Sequence, residues 1–422
     1  MVVGKMSEIT TYEKTKDSGI EWVGSVPSHW RVHTLYQLVT QVKEKNSNLQ
    51  EKNLLSLSYG KIKRKDIDSP DGLLPASFDG YNIIEDGDIV LRLTDLQNDH
   101  TSLRVGLATE RGIITSAYTT LRPIDTSNSK YLYYLLHAFD LKKGFYGMGS
   151  GVRQGLNYAE VKELRVVLPG QDEQNAIVRF LDNQCGQIDS IIEEAKSSIE
   201  EYKKWRASII FEAVTKGLNP LAEMKDSHID WIGLVPSHWK LSRIKNELDN
   251  LDYLREPISA EKRENILGLY DYYGASGVID KIDDYNVDDK VLLIGEDGAN
   301  LRMRNLPLVY KAEGKFWVNN HAHILKVHDD NCYGFIAYLL EAGDYSVFIT
   351  GSAQPKLSQF NLMRFPIVIP PLVEQQEIEA YLDEKCSAID ALIREKKSLL
   401  SELEIYKRSL ILETVTGKRK VV

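Results

Sequence analysis

The sequence predicts an α+β fold: two similar domains in tandem, separated by two long helices that pair as an antiparallel coiled coil with an intramolecular pseudo-twofold. Three observations predict it. Residues 17–30, DSGIEWVGSVPSHW, return at 226–239 as DSHIDWIGLVPSHW, with ten of 14 positions identical at an offset of 209. Residues 168–216 return at 369–417 at an offset of 201, with 19 of 49 positions identical. Between these framing segments lie 31–167 and 240–368, mostly unlike in sequence, yet both read strand, strand, helix in that order. Similar frames imply one scaffold used twice. Dissimilar bodies imply two related surfaces tuned to different targets.

In chain order, the first frame holds Trp22 and Trp30 beside Pro27, and its repeat holds Trp231 and Trp239 beside Pro236. The area each ring buries makes them structural plugs rather than base-stacking platforms. Body 1 carries β-rich runs at 83–93 and 112–123, then a helical 3–4 period across 130–143. The first long helix shows a seam at Leu181, Cys185, Ile188, Ile192, Ala195, Ile199 and Tyr202, and onward to Ala213. This alternation of fours and threes is the coiled-coil period. About 40 residues make a helix roughly 60 Å long. Pro169 and Pro370–Pro371 mark the helix starts; Gly217 and Gly417 mark the stops. Body 2 repeats the order with strands at 289–298 and 314–327 and a helix across 333–343. In the second long helix the matched seam runs through Leu382, Cys386, Ile389, Ile393, Leu400 and Leu403. Antiparallel pairing would place the two bodies at opposite ends of a rod; parallel pairing would put them side by side.

Composition bounds the class. The chain has 422 residues, 43% hydrophobic and 27% charged, enough for two or three domains with real cores. No run of about 18 apolar residues predicts a membrane span. The first 19 residues hold no apolar stretch of the secretory type, and three cysteines make no disulfide framework. A cytoplasmic setting is expected. The net charge of −9 argues at face value against nucleic acid. Its distribution changes that reading: residues 1–170 hold 21 basic and 20 acidic residues, whereas 218–370 hold 16 and 22. Much of the acid lies in DKIDDYNVDDK (280–290), a stretch expected to face away from a polyanion.

Catalytic motifs are missing. There is no G-x-S-x-G elbow, no P-loop and no amino-methylation motif of the Asn/Asp-Pro-Pro-Tyr type. Pro70-Asp71 with Glu194-x-Lys196 would be a weak nuclease pattern, because Glu194 and Lys196 fall on the coiled-coil helix, where a solvated charged face suffices. His321, His323 and Cys332 do not make a metal-ligand spacing, and Cys185 and Cys386 are small seam residues.

Basic and amide-rich clusters carry the remaining chemistry. Body 1 has Tyr59 followed by Lys61, Lys63, Arg64 and Lys65, with Arg92, Arg104, Arg111 and Lys142–Lys143 elsewhere. Small-residue loops with a glutamine close each body: GSGVRQGL (149–156) and GSAQPKLS (351–358). Glycine permits close backbone approach, while Gln, Arg and Lys reach phosphates or base edges. Body 2 adds Tyr270, Tyr272 and Tyr273 before Gly274, then Arg302, Arg304, Lys315, Asn319 and Asn320. A scaffold for proteins without any DNA role would share the long helices but not these loops.

These segments together resemble the specificity subunit of type I restriction-modification enzymes: WVGSVPSHW with WIGLVPSHW, GSGVRQGL with GSAQPKLS, FWVNNHAHILK, and the blocks opening DEQNAIVRFLD and EQQEIEAYLDEKCSAID. The resemblance runs from about residue 12 to 417. It implies two target recognition domains, 1–170 and 218–370, each reading one half of a bipartite double-stranded DNA site. It implies a central helical spacer at 171–217, and a C-terminal helical spacer and tail at 371–422. The helices would dock modification (methyltransferase) subunits, two of them expected, with restriction (motor-nuclease) subunits beyond. S-adenosylmethionine, ATP and Mg²⁺ would belong to those partners, this chain binding no cofactor and performing no catalysis. DNA contacts would fall on Ser150, Gly151, Arg153 and Gln154 in one loop, on Ser352, Gln354 and Lys356 in the other, and on the Tyr272–Tyr273 turn. A 60 Å spacer bounds the half-site separation at roughly 18 bp.

Overall fold

The computed structural model describes residues 10–67, 75, 77–148, 155–264 and 268–421. The chain divides into two compact units. Unit 1 is Met1–Ala195 with Ser398–Val422, and unit 2 is Lys196–Lys397. Each long helix is therefore shared between the units, whereas the sequence suggested boundaries at the helix ends.

In unit 1, strands β1 (Val39–Gln41), β4 (Ile89–Leu91), β5 (Val105–Leu107) and β6 (Thr119–Pro123) form an antiparallel sheet in the order β1-β6-β4-β5. A hairpin of β2 (Leu55–Ser58) and β3 (Lys61–Arg64) pairs separately and packs on that sheet, with Leu57 and Ile62 against Gly106. Helix α1 (Ser129–Leu141) turns Leu132, Leu136 and Phe139 into a core with Leu35, Ile89, Leu91, Val105 and Leu121. Then comes α2 (Gln171–Lys216), 46 residues in length.

Unit 2 repeats this order with a larger sheet: β7 (Leu248–Asn250), β8 (Tyr270–Gly274), β9 (Gly277–Ile282), β10 (Val287–Gly295), β11 (Val309–Val318) and β12 (Ala322–Val327). Their order is β7-β12-β10-β11-β8-β9. Helix α3 (Tyr333–Ala342) comes next, then α4 (Leu372–Val415), 44 residues in length. The apolar run 314–327 is two strands, since Asn319–His321 turns the chain between β11 and β12.

Each body is an insertion between two paired strands. Arg31–Thr34 enters body 1 and pairs with Arg165–Leu168, which leaves it. Lys240–Arg243 and Pro366–Ile369 do the same for body 2. Closing the insertion at its root lets the interior vary in length without disturbing the frame.

The frame residues repeat their contacts. In unit 1, His29 Nε2 lies 2.8 Å from Glu173, Gln174 Nε2 donates to the Pro169 carbonyl, and the Tyr134 hydroxyl donates to Asp182. In unit 2 the matching contacts are His238–Glu374, Gln375 to the Pro370 carbonyl, and Tyr338 to Asp383. Both glutamates sit in the first turn of a long helix, where negative charge meets the positive end of the helix dipole. Trp30 and Trp239 are buried, as their plug role requires. Each fits against a terminating glycine of left-handed φ: Gly417 lies on Pro27 and Trp30, and Gly217 on Pro236 and Trp239.

The helices run antiparallel. Asp189 of α2 pairs with Lys407 of α4 at 2.6 Å in unit 1, and Arg206 with Asp390 at 3.1 Å in unit 2, so α4 is traversed backwards as α2 advances. At 1.5 Å per residue α2 is about 69 Å long. Leu181, Cys185, Ile188, Ile192, Ala195 and Ile199 are buried on α2, as are Leu382, Cys386, Ile389 and Ile393 on α4; Leu400 and Leu403 are partly buried. The three cysteines are free and buried.

Candidate nucleic-acid interface

The β2–β3 hairpin presents the basic cluster of body 1. Tyr59 and Gly60, at φ 48° and 76°, form its two-residue turn. Two positive φ values in succession give the turn whose twist matches the flanking strands. Tyrosine is rare in that conformation, and Tyr59 projects 77% exposed at the tip. Strand alternation then divides the side chains of the hairpin between two sides. Leu55 and Leu57 are buried, Ile62 is partly buried beside them, and Arg64 shares the Ile62 side. Arg64 is consumed there: its Nε donates to Glu110 at 2.8 Å, which raises the guanidinium pKa and lowers that of the carboxyl. Lys61, Lys63 and Lys65 alternate onto the other side, all exposed, opposite Ser58 and Ser56. The four-residue basic run thus resolves into three solvated lysines and one structural arginine.

Arg104 corrects the sequence reading. It is fully buried. Its guanidinium donates to the carbonyls of Arg92 at 3.3 Å, Thr94 at 2.6 Å and Asp95 at 3.3 Å, and also to that of Asp99. Its Nε reaches the Tyr146 hydroxyl at 3.1 Å. Arg104 orders the 92–104 loop from within and offers nothing to solvent. Arg111 is paired with Glu51 and Glu85. Ser150, Gly151, Arg153 and Gln154 lie outside the described residues.

In unit 2 several candidates are structural. Tyr272 is 1% exposed; its hydroxyl accepts from the Ile258 amide at 3.0 Å and its ring lies under Arg263. Tyr273 is half-buried against Phe316, and burial raises its pKa. Asn319 is buried, and its Oδ1 accepts the His321 amide at 2.8 Å, closing the β11–β12 turn. Arg304 takes a left-handed backbone and donates to the carbonyls of Glu341 at 3.0 Å and Gly343. Arginine there caps the carboxyl end of α3.

The second Gly-Ser loop is brought together as expected. Thr350 and Lys356 exchange two backbone hydrogen bonds of 2.8 Å, and Gly351 takes φ 79°. Ser352 and Gln354 stand exposed on the tip. Arg302 approaches from the side and donates to the Gly351 carbonyl at 3.0 Å. Lys356 Nζ sits 3.0 Å from Glu296, which also holds Arg255. Burial opposes ionisation of Glu296, but hydrogen bonds from Arg255 and Lys356 outweigh it and keep its pKa below the usual value. His323 is buried between Asp252 at 2.6 Å and the Leu357 carbonyl at 2.8 Å, pinning the loop's return. No group of three metal-ligating side chains occurs among the described residues.

The seam leucines and isoleucines are taken up by packing, buried or partly buried along the helix pair. Exposed apolar residues along the paired stretch include Ile191 and Trp205 on α2, and Leu392, Ile405 and Tyr406 on α4. At the repeat offset of 201, Ile191 matches Leu392 and Trp205 matches Tyr406. Each of these four flanks the seam one residue before a seam position. The Asp189–Lys407 pair brings Ile191 and Tyr406 to one height in unit 1, and Arg206–Asp390 does so for Trp205 and Leu392 in unit 2. The sequence reading kept to the seam and did not single out these exposed apolar side chains at matched flanking positions.

Residues 236–402 match the family model described as the type I restriction modification DNA specificity domain. The chain is 33% identical over 146 residues to a type I restriction enzyme specificity subunit of Haemophilus influenzae, covering 34% of this chain and 36% of that protein. It is 30% identical over 119 residues to the type I restriction enzyme MjaX specificity subunit of Methanocaldococcus jannaschii, covering 28% and 26%. The match thus spans about a third or less of the length of these curated relatives. A chain solved in work on complex assembly and conformational transition of the type I R-M system shares the fold over 92% of this chain and 98% of its own. Its TM-score is 0.67 at 14% identity.

Proposed function

We propose that this chain is the non-catalytic, sequence-reading specificity subunit of a type I restriction-modification complex, with each body reading one half of a bipartite DNA site. The observation that carries the reading is the contrast within the repeat. The frame contacts recur residue for residue, while described solvent-facing features of the bodies differ: a lysine-lined hairpin in body 1, and in body 2 Arg302 set against the Gly351 carbonyl. Phosphate contacts would come from Lys61, Lys63 and Lys65, and base contacts from the loop tips. The paired helices would set the half-site spacing. Modification subunits, one per unit, would dock over the Ile191–Tyr406 and Leu392–Trp205 patches. S-adenosylmethionine would be bound by those subunits, and ATP and Mg²⁺ by the motor-nuclease subunits; the complex would act in the cytoplasm, where its DNA lies. Methylation mapping tests the reading: adenine modification should fall on one two-part motif. Exchanging residues 31–167 for the body of another family member should change one half of that motif and leave the other. Loss of both halves together would refute one-body-per-half-site reading.

A further inference from the structure

Unit 2 contains a concave site of about 410 Å³ lined by Arg243, Val347, Phe348, Asn361, Arg364 and Pro366. Its two arginines are 121 positions apart in the chain, but pairing of Arg243 with Pro366 at the root of body 2 brings them to one place. Both are exposed. Neither has a carboxylate partner among the described residues, and none of the six lining residues is acidic. Arg364 lies over the Phe360 ring at 4.8 Å, and Asn361 is held by the Phe348 carbonyl at 2.7 Å, so the walls are fixed. Two unpaired guanidinium forks facing one small concavity suit a tetrahedral oxyanion.

Two further observations bear on its occupant. The walls are continuous with the Gly-Ser loop, since Val347–Phe348 leads directly into it and Asn361–Arg364 comes shortly after its return at Leu357. The frame does not require the arginines. At the frame offsets, unit 1 has Thr34 where unit 2 has Arg243, and Glu163 where unit 2 has Arg364, with the same strand pairing preserved. Unit 1 has its lysine hairpin; unit 2, the more acidic body, has this pair instead.

We infer that Arg243 and Arg364 form a phosphate clamp, holding a backbone phosphate of the DNA beside the second Gly-Ser loop. The inference rests on the DNA-reading function proposed above. Backbone clamps fix register without choosing bases, so these are positioning residues for recognition.

The test uses the assembled complex of this chain with its modification subunits and a duplex bearing its methylation motif. Each phosphate contact contributes about 0.9 to the slope of log affinity against log salt. The Arg243→Ala/Arg364→Ala double variant should lose slope by about 0.9, the share of one phosphate, with the methylation motif unchanged. Arg→Lys at both positions should recover most of that slope, which a merely structural role would not give. If the unmodified complex fails to bind the duplex, the DNA-reading proposal itself fails. If it binds and the double variant keeps the full slope, the clamp alone is refuted. Inorganic phosphate titrated against the duplex-free complex separates the sources. A backbone clamp predicts weak binding of the free ion, whereas tight, duplex-independent phosphate binding would assign the site to a small anion. Loss of modification subunits from the double variant at unchanged slope would make the surface a protein contact and overturn the proposal.

Discussion

Replacing Lys61, Lys63 and Lys65 together with alanine tests the hairpin assignment quantitatively. The three side chains are exposed on one side of the hairpin and carry no ion pair among the described residues, so their charge is available to phosphate. At about 0.9 per phosphate, the triple variant should lower the log–log salt slope of DNA binding by about 2.7. Between 50 and 200 mM salt the salt-dependent loss of affinity should then be about 40-fold smaller than for the unmodified complex. Fluorescence anisotropy across that range, with the motif-bearing duplex and modification subunits present, reads the slope directly. Arg64→Ala is the internal control. Its guanidinium is tied to Glu110, so the slope should stay unchanged while the hairpin loses its anchor to the 110 turn. Solvated lysine substitutions cost within about 0.5 kcal/mol of stability, so the triple variant should remain folded. An unchanged slope in the triple variant, or an equal drop from Arg64→Ala, would refute the division of this cluster into reader and anchor.

The same structure makes four other outcomes measurable. Trp205→Glu and Tyr406→Glu should each release one modification subunit in native mass spectrometry and the pair should release both, since a buried aromatic anchor contributes about 2 kcal/mol or more; an intact complex with both changes would exclude the patches. Deleting one heptad from each long helix, at heights that keep the Asp189–Lys407 and Arg206–Asp390 pairings, removes about 10 Å and should shorten the preferred spacer by about 3 bp; an unchanged spacer would refute the ruler. Trp239→Ala should cost about 3–5 kcal/mol in denaturant unfolding, because the ring is buried against Gly217 and Pro236, and a loss under about 1 kcal/mol would contradict the plug role. His137 is buried, with its pKa pushed down to about 4 by desolvation, then by Lys407 and Arg408. The unfolded chain therefore takes up a proton below about pH 6.5 that the native state refuses. Stability should fall by about 3 kcal/mol as pH drops toward 4, and His137→Phe should flatten that decline. Asp140, raised to about 6 by burial, contributes the opposite slope over an overlapping window, so only the comparison between variant and parent isolates the histidine.

The parts legible in the sequence are those whose physics is local or repeated. The coiled-coil seam is a period of the chain itself, and Leu181 through Ile199 are buried where that period places them. The plug tryptophans announced themselves by duplication beside proline. What failed were inferences from residue type alone. Arg104 and Asn319 are polar residues in or beside turns, yet several backbone carbonyls enclose the first and a turn amide consumes the second. Tyr272 alternates inward along β8, a strand the sequence treated as a turn. The Arg243–Arg364 pair was illegible for the converse reason: neither residue has a local signature, and only the pairing that closes body 2 makes them neighbours.

The repeat also supplies a criterion for sorting scaffold from reader that needs no relatives. A contact present in both units, such as His29–Glu173 with His238–Glu374 or Tyr134–Asp182 with Tyr338–Asp383, is demanded by the frame, since two divergent bodies impose it alike. Conserved chemistry with exchanged partners marks the same demand. Lys407–Asp189 and Arg206–Asp390 keep the ion pair, with lysine in one and arginine in the other. A charged or aromatic surface residue with no counterpart is free of that demand, and selection on its identity must come from what it touches outside the chain. Lys61, Lys63, Lys65, Arg302, Arg243 and Arg364 fall in this second group, whereas Ile191 with Leu392 and Trp205 with Tyr406 recur although exposed. In the proposed function, two copies of one modification subunit would use such a recurrent surface, while two different DNA half-sites would call for bodies that differ at their faces.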